Sequence, residues 1–103
     1  MVWMGAGLDS PVDLVLYVAP QSTASMRARR NLEALLVEYD AARLKLVVRD
    51  VASEPALAEA DQVVFTPTLI VRTGQAVARV VGDLADGSAV TNMLAMGGLE
   101  KKQ

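Results

Sequence analysis

Residues 63–71 read "VVFTPTLIV", an apolar, β-branched run with a proline set into its first half. Val, Ile, Thr and Phe suit strands because their side chains fit a pleated, half-buried surface. Proline has no N–H for a ladder, so in a sheet it stands at an edge, a strand start or a bulge. The run is therefore read as a strand over 66–71 headed by Thr66-Pro67.

The elements on either side follow from this strand. Downstream, "AVARVV" (76–81) is a second strand, joined through Thr73-Gly74-Gln75 as a Gly-containing hairpin. After Gly82-Asp83, the segment 86–97 places Val90, Met93, Leu94 and Gly97 on one helical face, with Asp86 as its cap. Upstream, Ser53 followed by Glu54-Pro55 reads as the cap and first turn of a short helix to about Asp61. Before it lies the strand "LKLVVRDV" (44–51), and at the start "VDLVLYVA" (12–19), a nearly continuous apolar run expected of a strand buried on both faces. Between these two, Ser22 or Thr23 is placed to cap a helix. Ala28, Leu32, Leu35, Leu36 and Tyr39 recur along its apolar face.

The resulting order is βαβαββα. The first βαβ unit implies parallel strands with a right-handed crossover, and the hairpin adds antiparallel pairing. An α/β fold is expected, a central four-stranded mixed sheet with helices on both faces. This order resembles that of thioredoxin-like domains, in which a Thr-Pro at a strand head, often with a cis bond, faces a pair of redox cysteines. The resemblance makes Thr66 and Pro67 candidates for a structural cis bond.

Composition removes that chemistry. The chain of 103 residues has no cysteine and no histidine, so thiol redox, cysteine nucleophiles, histidine bases and Cys/His zinc sites are excluded. With 52% apolar residues and only 4% aromatic, the core is built from aliphatic side chains. A net charge of −2 argues against a globally basic nucleic-acid binder. No run approaches the length of a membrane span. The stretch 1–11, "MVWMGAGLDSP", lacks the basic start and apolar core of a signal peptide and reads as a flexible lead. One domain over 12–97, a short tail over 98–103 and a cytoplasmic setting are expected.

Few residues suggest chemistry. Ser22 and Ser25 occupy the loop after the first strand, where a thiol transferase would offer a hydroxyl to a thiolate; a helix cap is the simpler role. Arg27, Arg29 and Arg30 fall in the first turns of a helix, where cations are disfavoured by about 0.3–1 kcal/mol each. Arg27 and Arg30 share a face with Asn31, and Glu33 partly neutralises the run. This local cost makes them candidates for an anionic partner surface. Arg79 and Asp83 are a second pair of candidates. The acidic residues show no spacing for a metal site or paired-acid catalysis, and the chain carries no phosphate or dinucleotide loop. No catalytic residue, cofactor or metal is therefore assigned.

Taken together the motifs resemble the KaiB family. "LYVA" (16–19) matches its first strand, and Ser25, Arg27, Ala28 and Leu32 its first helix. "DVASEPALAEAD" (50–61), "TPTL" (66–69) and "RVVGDL" (79–84) complete the match. No one of these is specific; their unbroken order is. The resemblance implies a non-enzymatic protein that docks on the N-terminal ATPase ring of a KaiC-type hexamer, with Arg27 on the docking helix. It implies that Thr66-Pro67 keeps a backbone shape without redox chemistry. Clock members of the family also adopt a second fold that forms tetramers, so a homo-oligomer, dimer or tetramer, is among the implied assemblies. This chain has Thr73-Gly74-Gln75-Ala76 where clock members are proline-rich, and Met93 and Ala95, both better helix formers, where cyanobacterial members carry Gly and Asp. It is therefore expected to rest in the thioredoxin-like form, with 75–82 in strand and not helix. Related readings are a freestanding sensor domain like that of SasA-type histidine kinases, a cysteine-free thiol-transferase-like enzyme and a scaffold that associates through a sheet edge. No cofactor, nucleic-acid partner or membrane partner is expected.

Overall fold

A computed structural model describes residues 11–74 and 76–102; residues 1–10 of the lead expected over 1–11, Gln75 of the hairpin turn and Gln103 of the expected tail lie outside the described residues. Strand β1 spans Val12–Val18, helix α1 Thr23–Leu36, strand β2 Leu44–Asp50 and helix α2 Pro55–Ala60. Strand β3 covers Thr68–Arg72, strand β4 Val77–Val81 and helix α3 Ser88–Met96. The sheet order is β2-β1-β3-β4. β1 runs parallel to β2, antiparallel to β3, and β3 antiparallel to β4, a mixed four-stranded sheet as expected.

The two sheet faces are covered unequally. Strand side chains alternate between faces, so Leu14 and Leu16 of β1 join Leu69 and Val71 of β3 on one side. There α1, through Ala28 and Leu32, and α3, through Val90 and Leu94, close the main core. The other face carries only a small cluster, in which Val15, Tyr17 and Ile70 meet Ala58 of the short α2. The helices do lie on both faces, but α2 is too short to cover its side. At the outer edge, β4 leaves Val77 and Val81 exposed with Arg79 between them.

Local chemistry sets the helix boundaries. Ser22 caps α1, its hydroxyl accepting from the Ser25 N–H at 3.1 Å. Ser25 is itself buried, and its Oγ accepts from the Ala19 N–H at 3.0 Å, tying α1 to the end of β1. Ser25→Ala leaves that amide without its acceptor, and should lower the unfolding free energy by about 1–2 kcal/mol in urea denaturation.

Three boundaries differ from the sequence reading. Helix α1 ends at Leu36, and Tyr39 reaches the core from the following turn, where its N–H donates to the Leu36 carbonyl at 3.0 Å. Ser53 does not cap α2. The Ala52 and Ser53 amides instead turn onto Asp50 Oδ1, at 2.7 and 3.4 Å, while Glu54 holds the cap position ahead of Pro55 without a side-chain bond. Asp86 stands one residue ahead of the cap position, held by Gly87, yet its Oδ1 accepts from the Ser88 N–H at 3.0 Å. That hydrogen bond keeps the Asp86 carboxyl below its usual range.

The Thr66–Pro67 peptide is cis. Pro67 is buried at the head of β3, and its carbonyl accepts from the Gly82 N–H at 3.0 Å, joining the start of β3 to the end of β4. Residues Val77–Val81 are strand. Beyond α3, Leu99 enters the core and the Lys102 N–H donates to the Glu38 carbonyl at 2.7 Å, so the last residues described lie against the chain.

Candidate functional site

The turn after β4 is held in an unusual backbone shape. Gly82 has φ +122°, and Leu84 sits in the left-handed region at φ +61°, which leucine rarely adopts. Leu84 stays there because its side chain is buried in the main core and Asp83 Oδ1 accepts from the Ala85 N–H at 3.0 Å. Asn31 of α1 completes the anchor, donating from Nδ2 to the Asp83 carbonyl at 2.8 Å.

This anchor brings Asp83 to Arg27, whose Nε lies 3.8 Å from Oδ2, with both side chains substantially exposed. Such a pair contributes little to stability. Its effect is to fix two opposite charges at one place on the surface. Arg30 is exposed on the same helix, and Arg29 pairs with Glu33 at 3.4 Å. Arg27, Asn31 and Asp83 therefore form one cluster, with Arg30 beside it. The acceptance of Asn31 by a backbone carbonyl across the fold has no signature in the sequence.

Arg79 does not join them. It pairs across the hairpin with Ile70, which belongs to the small cluster on the opposite sheet face. There it donates to the Asp61 and Gln62 carbonyls, at 2.8 and 3.3 Å. Grouping it with Asp83 from sequence overlooked that the two lie on either side of the sheet.

Around Asp61 lies a charged network that sequence reading missed. The Tyr17 hydroxyl, on a fully buried ring, donates to the Asp61 carboxylate and accepts from Arg49 Nη1 at 3.0 Å. Arg72 Nη2 donates to Asp61 Oδ1 at 2.8 Å, and Arg49 Nη1 stands 3.8 Å from Oδ2. The Tyr17 hydroxyl, supported by Arg72, holds the Asp61 carboxyl below its ordinary value. Burial, followed by the Asp61 hydrogen bond, pushes the Tyr17 phenol up. Hydrogen bonding to Tyr17 raises the Arg49 guanidinium. Tyr17 and Asp61 are 44 positions apart, so only the alternation of β1 could have hinted at the pairing.

The Ser22 and Ser25 hydroxyl oxygens accept from the Ser25 and Ala19 amides, which gives them helix-capping and loop-tying roles. Among the described residues no group of three or more His, Asp or Glu is placed to hold a metal ion, and no helix is long and apolar enough to cross a membrane.

The KaiB domain model matches residues 15–96. The chain is 42% identical over 77 residues to the circadian clock oscillator protein KaiB of Prochlorococcus marinus strain MIT 9313, covering 75% of this chain and 65% of that protein. It is 40% identical over 77 residues to the protein of the same name in Prochlorococcus marinus subsp. pastoris, covering 75% and 72%. Among solved structures, the germline thioredoxin Deadhead of Drosophila melanogaster superposes with a TM-score of 0.71 at 19% identity, over 92% of this chain and 89% of the other. That likeness is one of fold, and the fold is thioredoxin-like.

Proposed function

The chain belongs to the KaiB family, and on that premise we propose that it is a non-enzymatic clock-type regulator that docks on a KaiC-type ATPase. The observation that carries the reading is the exposed Arg27–Asp83 pair, held in place by Asn31 and the Gly82–Leu84 turn, with Arg30 alongside. Side chains that gain little stability from each other, on a backbone this firmly set, suit recognition of a partner carrying acidic groups. The docking surface is Arg27, Arg30, Asn31 and Asp83; Arg79, on the other face, is not part of it. The setting is the cytoplasm, and no nucleic acid, membrane or cofactor takes part.

The test is a pull-down from native lysate with wild-type protein and an Arg27→Glu/Arg30→Glu variant, with bound proteins identified by mass spectrometry. The wild type should recover a KaiC-type ATPase, and the variant at least about tenfold less, since reversed charges meet the partner as repulsion. Equal recovery by both removes the surface from the proposal. Recovery of a histidine kinase, or of no ATPase, removes the partner.

A further inference from the structure

The uncovered part of the second sheet face forms a cavity of about 190 Å³, lined by Asp13, Val15, Lys45, Val47, Arg49 and Arg72, with Leu14 at its margin. The strand register builds it. Asp13 of β1 stands between Lys45 of β2 and Arg72 of β3, and Val15 stands beside Val47. One step further, Tyr17 stands beside Arg49. Because alternate residues share a face, Lys45, Val47 and Arg49 line one wall, Arg72 the other, and Val15 the floor.

The charges here are unbalanced. Asp61 alone faces both Arg49 and Arg72. A guanidinium has five N–H donors, and the contacts to Asp61 and Tyr17 occupy a minority of them. Lys45 is exposed, and among the described residues neither it nor Asp13 closes an ion pair within 4.0 Å. Among the described lining residues, Lys45, Arg49 and Arg72 stand against the single acid Asp13, so the lining is net positive in a chain whose net charge is −2. Asp61 and Glu54 act on the arginines from outside it.

The geometry points to a binding site for a small polyanion, a molecule with two or more phosphate or carboxylate groups, held by Lys45, Arg49 and Arg72. Planar guanidinium groups are suited to forked contacts with such oxygens, and lysine adds a mobile point charge. Among the described residues no aromatic side chain lines the cavity, and the Tyr17 ring beneath is buried. The described lining thus offers charge and not a stacking face, which suits a compact anion better than a nucleotide base. Asp13 opposes it. This site lies on the opposite sheet face from Arg27 and Asp83, so either assignment can fail without the other.

The test is a heteronuclear NMR titration of the whole chain with pyrophosphate and, separately, citrate, at constant ionic strength with chloride as control. Saturable amide shifts should centre on Asp13, Val15, Lys45, Val47 and Arg49, and the tighter of the two probes identifies phosphate or carboxylate as the preferred group. Lys45→Gln, an exposed change outside the Asp61 network, should weaken binding about tenfold, and Lys45→Arg should restore it. Asp13→Asn should tighten it, by removing a like charge. Shifts that do not saturate, that centre on Arg27 and Arg30, or that ignore Lys45→Gln overturn the site. Weaker binding in Asp13→Asn also overturns it, because the ligand then carries a cation.

Discussion

Leu16→Ala should lower the unfolding free energy by about 3 kcal/mol, within the range of roughly 2–5 kcal/mol for leucine truncated in a core. Leu16 is fully buried on the central strand, flanked by Val48 of β2 and Leu69 of β3. The helices above that face cannot collapse into the space without disturbing the ladder. Val47→Ala supplies the contrast. Its side chain borders the cavity on the other face and is only half-buried, so the loss should be about 1 kcal/mol or less. Urea titration of both variants measures the difference directly. Equal losses would mean that the two faces are equally packed, contrary to the fold described.

The second large effect belongs to Asp61. Asp61→Ala leaves the Tyr17 hydroxyl and two arginines without their carboxylate, and should cost about 2–3 kcal/mol near neutral pH. That is less than for a fully buried pair, because Arg72 and Arg49 are partly in water. Its pH dependence is more specific. The folded protein holds the Asp61 carboxyl below its value in the unfolded chain, about 3.9. The unfolded state therefore binds its proton first as pH falls. The stability Asp61 supplies is fully present above that value and is lost as pH drops through the lowered one. Asp61→Asn should flatten the acid limb of the stability curve below about pH 4. Tyr17 works in the opposite direction. Its phenol is raised in the fold, so its contribution is intact below about pH 10 and lost as pH rises beyond it; Tyr17→Phe should flatten the alkaline limb.

What could be read from the sequence was what depends on neighbours along the chain. The apolar run of β1, the apolar face of α1 as far as Leu36, a cap at Ser22 or Thr23 and the antiparallel pairing of β3 with β4 are local signals, and the structure has each, with Ser22 as the cap. So does the nearness of Arg27 to Asn31, which one turn of helix dictates. Capping at α2 and α3 was misplaced by one residue each, because Asp, Ser and Glu all compete for the same free amides and only geometry decides among them. Longer-range facts were out of reach. That Asp83 meets Arg27 depends on a turn held by Leu84 and Asn31, and that Arg79 faces the other way depends on hairpin register. The Asp61 network joins β1, β2, the end of α2 and β3, and no spacing in the chain announces it.

Arg79 carries a further consequence at the edge of the sheet. Among the described residues no strand pairs with the outer side of β4, which carries the exposed Val77 and Val81. A longer apolar stretch in that position would template the addition of strands from other molecules. Arg79 interrupts it with a charge, and its bonds to the Asp61 and Gln62 carbonyls keep that charge bound to the end of α2. Arg79 thus sets a charge on one of the sheet's two edge strands, a device that opposes edge-to-edge association between molecules.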